Sequence, residues 1–154
     1  MDEMIKLERL RKAPYFVNYK TQQGNNKTYN WSGVRGKQRS ITSVPREVYD
    51  WLTLESYCFR NGELVVAKDE PKKAEVEEFI SDVEEYKNNS HSEDEIKKLL
   101  TGNINKMKSE LNKITSDTEK RFVFDVMDEI KGELSNGKTD FIKQWVKEKP
   151  FRED

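Results

Sequence analysis

The residues best suited to chemistry lie between Trp31 and Arg39, where one large ring is followed by Arg35, Lys37 and Arg39 at alternating positions. In an extended segment alternate side chains project to the same side. Three cations so arranged can neutralise phosphates, and the indole beside them can stack on a base or on a partner's apolar surface. The competing expectation places Trp31 in a small core and makes the cations an edge guard against aggregation. Gly33-Val34-Arg35-Gly36-Lys37 is only superficially like a phosphate cradle, because the full spacing and the following helix are missing.

A second candidate is apolar. Val76, Phe79, Ile80 and Val83, continued by Tyr86, recur at helical spacing along residues 72–87 and draw a narrow stripe on an acidic helix. About two heptads fit there, fewer than a coiled coil requires, so the stripe is expected to pack on a neighbour in cis or in trans.

Enzyme chemistry finds no comparable foothold. The chain has no Walker-type Gly-x-x-x-x-Gly-Lys-Ser/Thr, no Gly-x-Gly-x-x-Gly after a strand, and no His-Glu-x-x-His. Its carboxylates fall on predicted helix faces, where solvation is their default role. His91 sits in a polar break and is expected to be solvent-exposed and without function. Cys58, between Tyr57 and Phe59, reads as a buried structural thiol. One Cys and one His cannot make a conventional zinc site. The expectation is therefore no catalytic residue, no metal, no cofactor and no enzymatic activity.

These candidates must be held by small modules. The chain has 154 residues, of which 34% are hydrophobic and 37% charged, and its 10% aromatic share argues against disorder. The net charge of −1 conceals an asymmetry. Residues 1–67 carry eleven Lys/Arg against seven Asp/Glu, a net +4, while residues 68–154 carry seventeen against twenty-two, a net −5. Such opposition can steer self-association or partner docking. No apolar segment approaches the ~20 residues that cross a bilayer, and the charged first residues lack the apolar core of a signal peptide.

Along the chain, residues 2–12 read as a short helix or a frayed arm, since Ile5 and Leu7 are too close for a clean helical period. Residues 15–19 and 28–31 read as strands of one hairpin around a Gly/Asn turn. Residues 40–44 read as a strand leading into a helix opened by Pro45, with Val48, Tyr49, Trp51 and Leu52 on its apolar face. Residues 57–67 close the module with a β segment. Ser92 and Glu95 form a capping box. Four short helices follow, opened at Ser92, at Thr101 or Asn103, at Ser116 or Asp117, and at Thr139 or Asp140. Asn136-Gly137 is expected to stop the third, and Pro150 to lie beyond the end of the fourth.

The predicted fold class is α+β: a small β-rich N-terminal module, an acidic linker helix and a four-short-helix C-terminal module. The boundaries are an arm over 1–14, a basic β-rich module over 15–67, an acidic helical linker over 68–91 and a helical module over 92–150.

Two stretches carry a family resemblance. The run Gly33…Gly36-Lys37…Ser40-Ile41-Thr42-Ser43-Val44-Pro45-Arg46-Glu47-Val48-Tyr49-Asp50-Trp51-Leu52, then Phe59 and Leu64-Val65-Val66, resembles the N-terminal β-rich domain of YqbF-like proteins of phages and prophages. Leu100-Thr101-Gly102-Asn103 through Gly137-Lys138 and Phe141-Ile142 is similar to the small helical domain appended to many phage morphogenesis proteins. The resemblance covers 28–67 and 92–148; the arm 1–14 and helix 72–87 have no counterpart in it. It implies a virion or assembly role among head and connector proteins, and brings no catalytic residue.

The leading expectation is a non-enzymatic, phage-encoded interaction protein, associated with the virion head or connector or with assembly. Its partner would be another phage structural protein or a host protein, with a homo-oligomer as a further arrangement, and its location the host cytoplasm or the virion, with no membrane. One alternative is a nucleic-acid-binding regulator using the basic 35–39 loop, which is not favoured. Another is an inhibitor of a host enzyme whose acidic helix, through Glu77, Glu78, Glu84 and Glu85, mimics phosphates.

Overall fold

The computed structural model of the chain describes residues 3–21 and 23–148. The chain divides into two units. The first takes in residues up to Phe59 together with Glu63–Val83; the second takes in Arg60–Gly62 and the chain from Glu84 onward. The α+β expectation holds, with strands in the first unit and helices dominating the second.

In the first unit β1 (Met4–Arg9) is the middle strand of a three-stranded antiparallel sheet, flanked by β4 (Ser40–Pro45) and β5 (Val65–Val66). This corrects the reading of the first fourteen residues as an arm. Ile5 and Leu7 do not fit a helix because they are alternate strand residues: both are fully buried, facing Val44 and Thr42 of β4. The charges between and beyond them are accommodated by pairing. Glu8 binds Arg39, and Arg9 binds Glu63, so these side chains are buried without being left unsatisfied.

β2 (Tyr15–Lys20) and β3 (Asn26–Trp31) form the expected hairpin, with Tyr15 opposite Trp31 and Phe16 opposite Asn30. Val17, Tyr29 and Trp31 turn inward, whereas Phe16, Asn18, Thr28 and Asn30 turn outward. Gln22 lies outside the described residues. Helix α1 (Arg46–Glu55) starts directly after Pro45 and buries Val48, Tyr49 and Leu52. The Tyr49 hydroxyl donates to the Val76 carbonyl, and its ring meets Phe59 edge-on at 5.5 Å.

The continuous acidic helix expected over 72–87 is instead two short ones, α2 (Lys73–Glu77) and α3 (Val83–Asn88). Asp82 between them has φ +54°, a left-handed conformation that ends a helix.

The second unit packs α4 (Glu93–Leu100), α5 (Ile104–Leu111), α6 (Asp117–Ile130) and α7 (Asn136–Trp145) around Ile96, Leu100, Met107, Leu111, Val123, Met127, Ile142 and Trp145. Both halves of the Ser92/Glu95 capping box form, and Asn103 and Ser116 cap their helices. The fourth helix opens earlier than expected, at Ser135, whose hydroxyl accepts from the Lys138 amide; Asn136-Gly137 is its first turn. A 3₁₀ turn, Lys131–Glu133, separates it from α6. Pro150 lies outside the described residues. Two lysines close helix ends: Lys138 Nζ donates to the Leu100 and Gly102 carbonyls, and Lys120 Nζ to those of Trp145 and Glu148.

Candidate functional site

The chemistry-bearing segment Trp31–Arg39 borders an open groove of about 580 Å³ in the first unit, walled by the start of β2, the end of β3 and the start of β4. Trp31 is 1% exposed, its Nε1 donates to the Leu7 carbonyl at 3.0 Å, and Tyr15 packs on it at 6.2 Å. It is a core side chain that forms part of the groove wall, and it is not presented for stacking. The exposed ring is Phe16, at 61%. Its exposure is not legible in the sequence, because Phe16 sits inside an apolar strand and only the register with Asn30 shows which face it takes.

The loop carrying the three cations is a tight turn and not an extended strand. Arg35 and Gln38 bridge each other through their backbones, with N–O distances of 3.3 and 2.9 Å. Gly33 at φ +93° and Gly36 at φ +59° supply conformations that other residues resist. At Gly33 a Cβ would lie 2.1 Å from the Lys12 carbonyl oxygen, so the loop's close seat on residues 11–13 depends on glycine.

The turn separates the cations in role. Arg35 and Lys37 are exposed. Arg39 is half-buried, and its guanidinium meets Glu8 through two hydrogen bonds, of 3.1 and 2.8 Å, and Asp69 through one of 3.0 Å. The Glu8 hydrogen bond, reinforced by Asp69, holds Arg39 well above the usual arginine range despite partial desolvation. Its fork is thus engaged within the unit, and a three-cation phosphate clamp does not form.

Beneath the groove, Arg9 and Arg11, each about 5% exposed, converge on the Glu63 carboxylate. Arg9 also donates to the Ala13 and Glu63 carbonyls and lies 5.1 Å from the Tyr15 ring centre. This buried network fixes the chain from β1 into β2.

The second candidate set is divided. Val76 and Ile80 are buried in the first unit, Val83 is half-buried, and Phe79 is 56% exposed. The Arg46 guanidinium lies 4.9 Å from the Phe79 ring centre. Ser81 Oγ donates to the Thr53 carbonyl at 2.8 Å, bringing this segment against α1 next to Leu54, which is 74% exposed. The four acidic residues proposed as a phosphate mimic fall on or beside two separate helices. Glu85 is bound by Arg60, and Glu77 lies 3.9 Å from Lys73.

Two titratable groups differ in how they compare with expectation. Cys58 is buried as expected, and desolvation pushes its thiol up to about 12, so it is inert at neutral pH. His91 is not a free surface histidine: its Nδ1 lies 2.7 Å from Oε2 of Glu119, a carboxylate only 1% exposed. Burial favours the neutral imidazole, but the Glu119 hydrogen bond and charge outweigh it and leave the pKa above the ordinary histidine value. Among the described residues no cluster of His, Cys, Asp and Glu could hold a metal ion, and no helix is long and apolar enough to cross a membrane.

Fold and site together define an α+β protein of two small units, the first with a polar outward strand face marked by one exposed aromatic. Residues 3–82 match the YonA N-terminal domain and residues 92–150 the YonA C-terminal domain, so the chain belongs to the YonA family. It is accordingly a phage-associated protein, as the resemblance implied, while the YqbF-like specifics find no support in either match. No curated protein and no solved structure matches the chain.

Proposed function

We propose that this chain is a non-enzymatic interaction protein of a phage, serving the virion head or connector or its assembly by binding another phage structural protein or a host protein. The observation that carries this reading is the Arg46–Phe79 pair, with the exposed Leu54 further along the helix of Arg46. Phe79 is stacked against Arg46 with most of its ring in water, and Leu54, two turns further along α1, is exposed as well. Arginine and phenylalanine are enriched at protein interfaces, and exposed apolar surface rimmed by polar residues marks interaction sites. Arg46 is held in place by Asp50 at 2.9 Å and Glu3 at 3.4 Å, which limits the ordering entropy lost on binding.

The test is quantitative mass spectrometry of purified phage particles, and of complexes recovered with the tagged chain, for the wild type and Leu54→Ser/Phe79→Ser. A stoichiometric partner or particle that the double variant loses, with its circular dichroism unchanged, is the expected result. Particles without the chain would remove the head and connector role. A partner retained in full by the variant would remove this patch.

A further inference from the structure

We propose that the first unit also binds single-stranded nucleic acid across the outward face of β2 and β3, with Phe16 as the stacking surface and exposed cations of the same segment on the phosphates. This is independent of the protein-binding patch on α1.

The first observation is an acid-free run. From Arg9 to Arg46 the chain carries nine Lys/Arg and no Asp or Glu, although acidic residues number 29 of 154 in the whole chain. The run spans the groove, the hairpin and the turn. Four of its cations are engaged by carboxylates from outside it: Arg9 and Arg11 by Glu63, Arg39 by Glu8 and Asp69, and Arg46 by Glu3 and Asp50. Lys20, Arg35 and Lys37 are exposed, with no acidic residue along this run to compete with a phosphate, whereas Lys27 lies on the opposite strand face, 5.6 Å from the Tyr29 ring centre. The resulting field calls for an anionic occupant.

The second observation is the chemistry of the face itself. Phe16 exposes an apolar ring on a strand face beside its cross-strand partner Asn30. Asn30, Gln38 and Thr42 share the groove with it, and no acidic residue lines it. Amides and hydroxyls each offer a donor and an acceptor, which suits base edges. An aromatic ring exposed on a sheet face within a cationic, acid-free segment is the kind of surface on which unpaired bases stack.

An acidic peptide is the less suitable anion. It would need cations inside the groove, where the one available, Arg39, is already committed to Glu8 and Asp69. The exposed cations instead lie on the hairpin and on the turn, where a sugar-phosphate strand would run if its bases faced Phe16. A duplex keeps its bases stacked and has none to offer the ring.

The test is fluorescence anisotropy of the full chain with labelled single-stranded oligo-dT and oligo-rU of about 20 nucleotides, longer than a small module's site. A duplex and poly-glutamate are run alongside. Single strands should bind, and their affinity should fall steeply between about 50 and 200 mM salt. Phe16→Ala should weaken binding about tenfold, the order of one lost base–aromatic stack. Arg35→Ala/Lys37→Ala should lower the slope of log affinity against log salt by about 0.7 per phosphate contact removed. Both variants change exposed side chains, and unaltered circular dichroism and melting confirm that they fold. Absence of binding at low salt overturns the proposal. So do equal binding of the duplex, an unchanged affinity for Phe16→Ala, and preferential binding of poly-glutamate, which would make the occupant an acidic protein segment.

Discussion

Asn89 and Thr115 hydrogen-bond each other twice: Asn89 Nδ2 donates to Thr115 Oγ1 at 2.9 Å, and the Thr115 amide donates to Asn89 Oδ1 at 2.8 Å. The same fully buried side chain also donates to the Arg60 carbonyl and accepts from the Ser116 amide. One amide thereby secures the segment 60–62 and the entry to α6 within the second unit.

Asn89→Ala should therefore destabilise the second unit by about 3 kcal/mol, since an unsatisfied buried group costs about 1–3 kcal/mol and several are created at once. Urea unfolding monitored by helical circular dichroism checks this. A loss below about 0.5 kcal/mol, the scale of an ordinary surface substitution, would show that water replaces these bonds freely.

Trp31 and Phe16 should separate by role. Trp31→Ala should cost about 3–5 kcal/mol by leaving a core cavity. Phe16→Ala should stay within about 0.5 kcal/mol of the wild type, as exposed positions do. Paired thermal melts of the two variants measure the difference. Equal effects would mean that Phe16 is covered in solution.

Glycine positions in the first unit differ in what a methyl group would meet. Gly33→Ala forces a Cβ into the Lys12 carbonyl at a positive φ, whereas Gly36→Ala meets open space and only the unfavourable φ. Left-handed backbone costs an L-residue roughly 1–2 kcal/mol, so Gly36→Ala should lose about that much. Gly33→Ala should lose clearly more and should also displace the turn, visible as amide shifts of residues 33–39 in NMR.

The His91–Glu119 pair should make the second unit pH-dependent. Because the folded pKa of His91 is raised, its contribution is full below the unfolded value of about 6.5 and is lost as pH rises through the folded value. The melting temperature of the wild type minus that of His91→Gln should accordingly shrink from about pH 6 to pH 8, a window bracketing the histidine titration. A gap that widens over this range would reverse the sign assigned here.

The helical half was legible because its boundaries are written in local chemistry: Ser92 with Glu95, Asn103 and Ser116 each announce a helix start from a few residues. At Ser135 the signal was present but overshadowed by Asn136-Gly137, read as a stop when it is an exposed first turn. Long-range pairing was not legible. β1 looks like a charged arm because Glu8 and Arg9 are neutralised by Arg39 and Glu63, residues far along the chain. The single helix over 72–87 failed at Asp82, whose left-handed backbone no periodicity reveals. Within the candidate site, the turn residues and the rings were all visible, but which ring faces water depends on strand register, so Trp31 was preferred to Phe16. The acid-free run required only a count of charges between Arg9 and Arg46.

The central place of β1 sets the order in which the first unit can be completed. Its partners are a strand some thirty residues later and a two-residue strand later still, with Leu7 finally opposite Val66. As the chain leaves the ribosome, the apolar edge of Ile5 and Leu7 must wait for both, with its backbone groups hydrated and its loop-closure entropy not yet offset. Folding of this unit is therefore governed by chain synthesis to Val66 and beyond, and among the described strands the hairpin between β2 and β3 is the part that local contacts can assemble first.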